Sequence, residues 1–121
     1  MSFKNLLYVE DDPYNQNLIR LFLKKEPFHL ITADSAAVAL DILKKQSIDI
    51  IIVDLTLQKE GDGADLIRCI RDLDGYHSVP LFVFSGYDEN HFNTLDIANM
   101  VQCFFQKPTA KQTLIKALKE V

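Results

Sequence analysis

Residues Ile50-Ile51-Ile52-Val53 constrain the fold of this chain more than any other segment: four β-branched side chains in succession, with no polar alternation. Such side chains are stiff about χ1 and favour extended backbone. A strand that does not alternate has no solvent face, and strands of that kind occur where helices cover both sides of a parallel sheet. Four further strand-like runs flank it, Leu6–Val9, Phe28–Ala33, Leu81–Phe84 and Val101–Phe105. Phe28–Ala33 is less uniformly apolar, which places it at a sheet edge.

Helical patterns separate the runs. Asp12 is placed to cap a first helix with Pro13 at its first position, and Tyr14, Leu18, Leu21 and Phe22 share a face at i, i+4, i+7 and i+8. Ser35 caps a second helix with an inner stripe of Ala36, Ala39, Leu40 and Leu43. Leu66, Ile67, Ile70 and Leu73 mark a third, closed by Asp74-Gly75. A weaker pattern around Phe92, Leu95 and Ala98 predicts a fourth over Asp88–Met100, and Leu114, Leu118 and Val121 line a last helix reaching the final residue. Five β-α units joined by right-handed crossovers predict an α/β fold. The favoured form is a flavodoxin-like (βα)5 three-layer sandwich with a parallel sheet in the order 2-1-3-4-5.

The 121 residues are read as a single domain, 1–121, long enough to bury a core without staples. The formal net charge of −4 carries no basic stripe, which argues against direct nucleic-acid binding. Cys69 and Cys103 are too few for a disulfide framework or zinc site and are read as two buried thiols in a reducing cytosol. No apolar run approaches the roughly 20 residues needed to span a bilayer, and no secretory signal is recognised, so a cytoplasmic domain without membrane contact is expected. His29, His77 and His91 show no ligand spacing and are read as surface residues.

In a parallel sheet the carboxyl ends of all strands share one edge, where ligands bind. Here Glu10, Asp11 and Asp12 follow the first strand, Asp54 ends the third, Ser85 the fourth and Lys107 the fifth. Asp12 is explained as a helix cap. Glu10 and Asp11 are not, because extra acids at a buried strand end repel one another unless a cation joins them. Hard oxygen ligands beside a lysine suit Mg2+ and a phosphoryl group better than a transition metal.

Val9-Glu10-Asp11-Asp12-Pro13, the lone Asp54 after an isoleucine-rich strand, Ser85-Gly86 and Lys107-Pro108 recur in the order and near the spacing of a known family. On these motifs the whole chain resembles a response-regulator receiver domain of two-component signal transduction. The resemblance implies that Asp54 accepts a phosphoryl group from the phosphohistidine of a histidine kinase or histidine phosphotransfer protein. Mg2+ would be held by Asp11, Asp54 and the Thr56 carbonyl, with Glu10 acting through water. Lys107 would pair with a phosphoryl oxygen. Ser85 and Phe104 would form the switch, and the Lys107-Pro108 bond would be cis. An output domain or partner would meet the face from Asp88 to Val121. Such a domain phosphorylates and dephosphorylates itself without being a turnover enzyme.

The chain departs from the family in three places. Leu57-Gln58-Lys59-Glu60-Gly61-Asp62-Gly63 lacks the usual proline and is one residue longer; Met100-Val101 replaces a small Gly-Ala pair; and Phe104 replaces a common tyrosine. An FMN-binding flavodoxin is disfavoured, because Glu10-Asp11-Asp12 would repel its phosphate. A haloacid-dehalogenase-type phosphatase needs an acid two residues after its nucleophile, where this chain has Thr56. The alternative kept is a degenerate receiver that binds partners without phosphorylation.

Overall fold

The computed structural model describes residues 3–55, 63–86, 89–94 and 96–121. Five parallel strands form one sheet in the order β2-β1-β3-β4-β5. They are β1 Lys4–Val9, β2 Phe28–Ala33, β3 Ile50–Asp54, β4 Leu81–Ser85 and β5 Cys103–Gln106. The interleaved helices are α1 Pro13–Phe22, α2 Ala36–Lys45, α3 Gly63–Asp72, α4 Glu89–Asn93 and α5 Lys111–Lys119, with a 3-10 turn at Ala98–Met100. This is the expected flavodoxin-like α/β arrangement, with β2 at an edge and β3 at the centre.

Every residue of β3 is buried. Alternate residues of each strand feed two cores. On one side Leu7, Val9, Ile51, Val53 and Val83 meet Ala39 and Leu43 of α2 and Leu66, Ile67 and Ile70 of α3. On the other Leu6, Tyr8, Ile50, Ile52, Phe82 and Phe84 meet Ile19 of α1 and Leu114, Ile115 and Leu118 of α5. Full burial of each leucine, isoleucine, valine or phenylalanine among them stabilises the fold by about 1.5–3 kcal/mol.

Two caps form as the sequence predicts: Asp12 accepts from the Tyr14 N–H at 2.9 Å, and Ser35 Oγ from the Val38 N–H at 3.2 Å. The buried face of α1 differs from expectation. Tyr14 and Leu21 are 71% and 65% exposed, and the inward residues are Ile19, Phe22 and Leu23. The helix begins at the acidic edge of the sheet, so its inward stripe opens with the half-buried polar residues Asn15 and Gln16. Apolarity alone therefore selects the wrong stripe.

Three further differences are local. The predicted helix over Asp88–Met100 is divided into α4 and the 3-10 turn, with Asp96 between them at φ 58°; Asp88 and Leu95 lie outside the described residues. Helix α5 ends at Lys119 and β5 begins at Cys103, two residues later than Val101. Cys69 is exposed rather than buried; at about 100° per residue it falls outside the arc shared by Ala64, Ile67 and Ile70.

The end of α3 is pinned by a contact that periodicity does not reveal. The Arg71 guanidinium donates to the carbonyls of Met100 at 2.6 and 2.9 Å, Val79 at 2.8 Å and Tyr76 at 3.0 Å. It ties α3 to the segments leading into β4 and β5. Among the described residues no helix is long and apolar enough to cross a membrane.

Candidate functional site at the carboxyl edge of the sheet

Strand register builds the site. Val9 of β1 lies opposite Val53 of β3, Asp54 opposite Phe84 of β4, and Ser85 opposite Gln106 of β5. The residues just past those pairs, Glu10 and Lys107, therefore reach the same edge as Asp54. Lys107 Nζ lies 2.5 Å from Asp54 Oδ2 and 3.2 Å from Glu10 Oε1. Asp54 and Glu10 are each 1% exposed and Ser85 is fully enclosed. The Lys107-Pro108 peptide bond is cis.

Two buried carboxyls and one ammonium leave this cluster with an excess of negative charge. Burial pushes the Glu10 carboxyl up to about 7, reinforced by the hydrogen bond and charge of Asp54 and opposed by Lys107. Burial alone would lower the Lys107 ammonium, but Asp54 and then Glu10 outweigh it and raise it. Burial, then Glu10 and Asp54, raise the Tyr8 phenol as well. Each shift reports the same condition, a low-dielectric edge short of positive charge.

The structure brings Glu10, Asp54 and Lys107 into direct contact. Asp11 is half-buried beside them, its N–H donating to Glu10 Oε2 at 3.1 Å. Asp12 faces away, on the α1 cap. Ser85 ends β4 at the same edge, its carbonyl accepting from the Lys107 N–H at 2.8 Å. Phe104 lies opposite Val83 rather than Ser85, and its ring stacks on Phe92 of α4 at 4.8 Å. Thr56 and the loop Leu57 to Asp62 lie outside the described residues. Exposed His29 and His77 stand apart from the site.

The donors near the edge are carboxyl oxygens, chemistry that fits a hard divalent cation such as Mg2+. Burial and the neighbouring Asp54 disfavour the charged form of Glu10, a strain that a cation at this edge would relieve. Among the described residues no group of three Asp, Glu, His or Cys is arranged to hold a metal.

Sequence reasoning passed over three residues at this edge. Tyr8 hydroxyl donates to Glu10 Oε1 at 3.4 Å, and Gln16 Nε2 donates to the Glu10 carbonyl at 2.6 Å. A phenol in an otherwise aliphatic strand was the available signal for Tyr8, because a buried hydroxyl needs a partner. Gly63 opens α3 against the end of β3: a Cβ there would meet the Asp54 carbonyl oxygen at 2.7 Å and Leu55 Cα at 2.8 Å.

A parallel five-stranded sheet with an acid–lysine cluster at its carboxyl edge defines a receiver-type α/β domain. The family model of the response regulator receiver domain matches residues 6–119, and the chain belongs to that family. It is 30% identical over 99% of its length to the transcriptional regulatory protein GlrR of Escherichia coli K12. It is 28% identical over 96% to the cell cycle transcriptional regulator CtrA of Caulobacter vibrioides. The chain spans only 27% of the first relative and 49% of the second. A response regulator receiver protein from Pseudomonas putida superposes with TM-score 0.89 at 28% identity, covering 100% of this chain and 99% of that one. The chemotaxis protein CheY4 of Vibrio cholerae shares the fold at TM-score 0.90 and 21% identity, with 99% of each chain covered.

Proposed function

We propose that this receiver domain accepts a phosphoryl group on Asp54 from the phosphohistidine of a histidine kinase or histidine phosphotransfer protein. An Asp54 carboxylate oxygen attacks phosphorus, the phosphorus–nitrogen bond breaks, and the departing imidazole takes up a proton. The product is an acyl phosphate on Asp54, later cleaved by water, so the domain is a signalling switch rather than a turnover enzyme. The contact between Lys107 and buried Asp54 carries this reading. It sets a cation beside the acceptor oxygen, where phosphoryl oxygens would arrive.

Asp11, Asp54 and the Thr56 carbonyl would hold Mg2+, with Glu10 behind them through water. The bound ion would neutralise charge between the acceptor and the phosphoryl oxygens. Ser85, enclosed at the end of β4, would turn its hydroxyl to the new phosphoryl group. Phe104 would follow, changing the face formed by α4, β5 and α5, the region from Asp88 to Val121, which an output domain or partner would read.

Incubation with acetyl phosphate and Mg2+ tests the assignment. Intact mass should show one phosphate on the parent chain and none on Asp54→Asn. An unlabelled parent would leave the phosphorylation-independent receiver as the better reading, and equal labelling of Asp54→Asn would move the acceptor elsewhere.

A further inference from the structure

Glu10 is engaged by the protein at every polar atom. Its N–H donates to the Ala33 carbonyl at 2.9 Å, and its own carbonyl accepts from Gln16 Nε2 at 2.6 Å. Oε1 accepts from Tyr8 at 3.4 Å and Lys107 at 3.2 Å, while Oε2 accepts from the Asp11 N–H at 3.1 Å. With Asp54, which also shares a hydrogen bond with it, the partners come from six places in the chain: β1, the loop after it, α1, the end of β2, the end of β3 and the residue after β5. A carboxyl bound in this way acts as a strut between elements.

Tyr8 and Gln16 are the two side chains of that frame with no other part in the site. Tyr8 is 1% exposed, its ring edge-on to Phe84 at 6.0 Å. Phenylalanine would fill the same space, so the hydroxyl is accounted for by Glu10 alone; buried without it, the hydroxyl would cost stability. Gln16 takes the Glu10 carbonyl just where β1 has ended and the strand ladder no longer supplies a donor.

We propose that Tyr8 and Gln16 are positioning residues, clamping Glu10 so that Lys107 stays on Asp54 and the acidic edge binds Mg2+ without rearranging. The inference rests on reading this edge as an Mg2+-dependent phosphoryl acceptor.

Calorimetric titration with Mg2+ alone, without a phosphodonor, tests the clamp. Tyr8→Phe and Gln16→Leu should each weaken binding about 3- to 10-fold, the scale of one hydrogen bond. Adding Tyr8→Phe to Glu10→Gln should cause no further loss, whereas a general structural defect would add. With acetyl phosphate, half-saturating Mg2+ should rise by the same factor while the rate at saturating Mg2+ changes less than about twofold. Parent-like Mg2+ affinity in both variants, additive losses, or no Mg2+ binding by the parent would overturn the proposal. The expected Mg2+ pattern in a parent that takes no phosphate would sustain the clamp and remove the phosphoryl-acceptor reading instead.

Discussion

Lys107 Nζ reaches Asp54 Oδ2 at 2.5 Å across 53 residues of sequence, and the same ammonium touches Glu10 Oε1 at 3.2 Å. One cation thus answers two buried acids. Lys107→Met keeps the apolar stem and leaves both acids facing each other. Because the Lys107 side chain is 27% exposed, the expected loss is modest, about 1–3 kcal/mol at pH 8. At pH 5, where Glu10 is protonated, the loss should shrink. Urea unfolding at the two pH values measures it, and equal losses would assign the effect to the stem.

Glu10 makes the domain sensitive to pH in a defined direction. Its carboxyl holds a proton up to about 7 in the folded state, against 4.5 when unperturbed. The folded state therefore binds more protons between those values, and stability from this group, complete below pH 4.5, is lost as pH rises through 7. At about 1.4 kcal/mol per unit the loss is on the order of 3 kcal/mol. Denaturant midpoints in EDTA should fall over this window, and Glu10→Gln should flatten the fall. A slope unchanged in Glu10→Gln would assign it to other groups.

Added Mg2+ should stabilise the folded chain, because the ion neutralises an acid cluster that exists only after folding. At ten times its dissociation constant the gain is about 1.4 kcal/mol. Thermal unfolding at rising Mg2+ should show an increasing midpoint that Asp11→Ala abolishes. A flat response in the parent would remove Mg2+ from the site.

Gly63 meets the backbone of Asp54 and Leu55, not a side chain that can swing aside. Gly63→Ala must therefore move either α3 or the end of β3, at about 1–3 kcal/mol. Phosphorylation by acetyl phosphate should slow in the same variant, since the displaced strand end carries Asp54. Parent-like stability and rate would show that the loop absorbs the methyl group.

Phe104 is the aromatic residue of the proposed switch. Its stack on Phe92 holds the ring against α4 with about 0.5–1.5 kcal/mol beyond area burial. Moving inward must break that stack, so Phe92→Ala should release Phe104 without phosphorylation. Aromatic NMR spectra of this variant should shift toward those of the beryllofluoride-treated parent, beryllofluoride standing in for the phosphoryl group. No movement in Phe92→Ala, or beryllofluoride shifts confined to residues beside Asp54, would separate Phe104 from the switch.

Local pattern carried most of the architecture. Strand β2 and the beginning of β3 fall where the apolar runs predict, and Asp12 and Ser35 cap as their side chains require. The sheet order follows from five β-α units, because right-handed crossovers leave few alternatives. The acids, hydroxyl and lysine were legible because a parallel sheet gathers all its strand ends on one edge.

Tertiary structure decided what depends on distance between elements. Tyr14, Leu18, Leu21 and Phe22 satisfy helical periodicity as well as Ile19, Phe22 and Leu23 do; only docking of α1 beside a polar edge selects the second set. The weak pattern over Asp88–Met100 likewise left the division by Asp96 unread. The bonds from Tyr8 and Gln16 to Glu10, the approach of Gly63 to the β3 backbone, and the stack of Phe104 on Phe92 have no periodic signature. Sequence alone determined which residue types reach the edge, since alternation and strand direction are local properties of the backbone. Which groups touch there, and hence how far Glu10 is driven from its ordinary ionisation, was decided by register and packing between segments far apart in the chain.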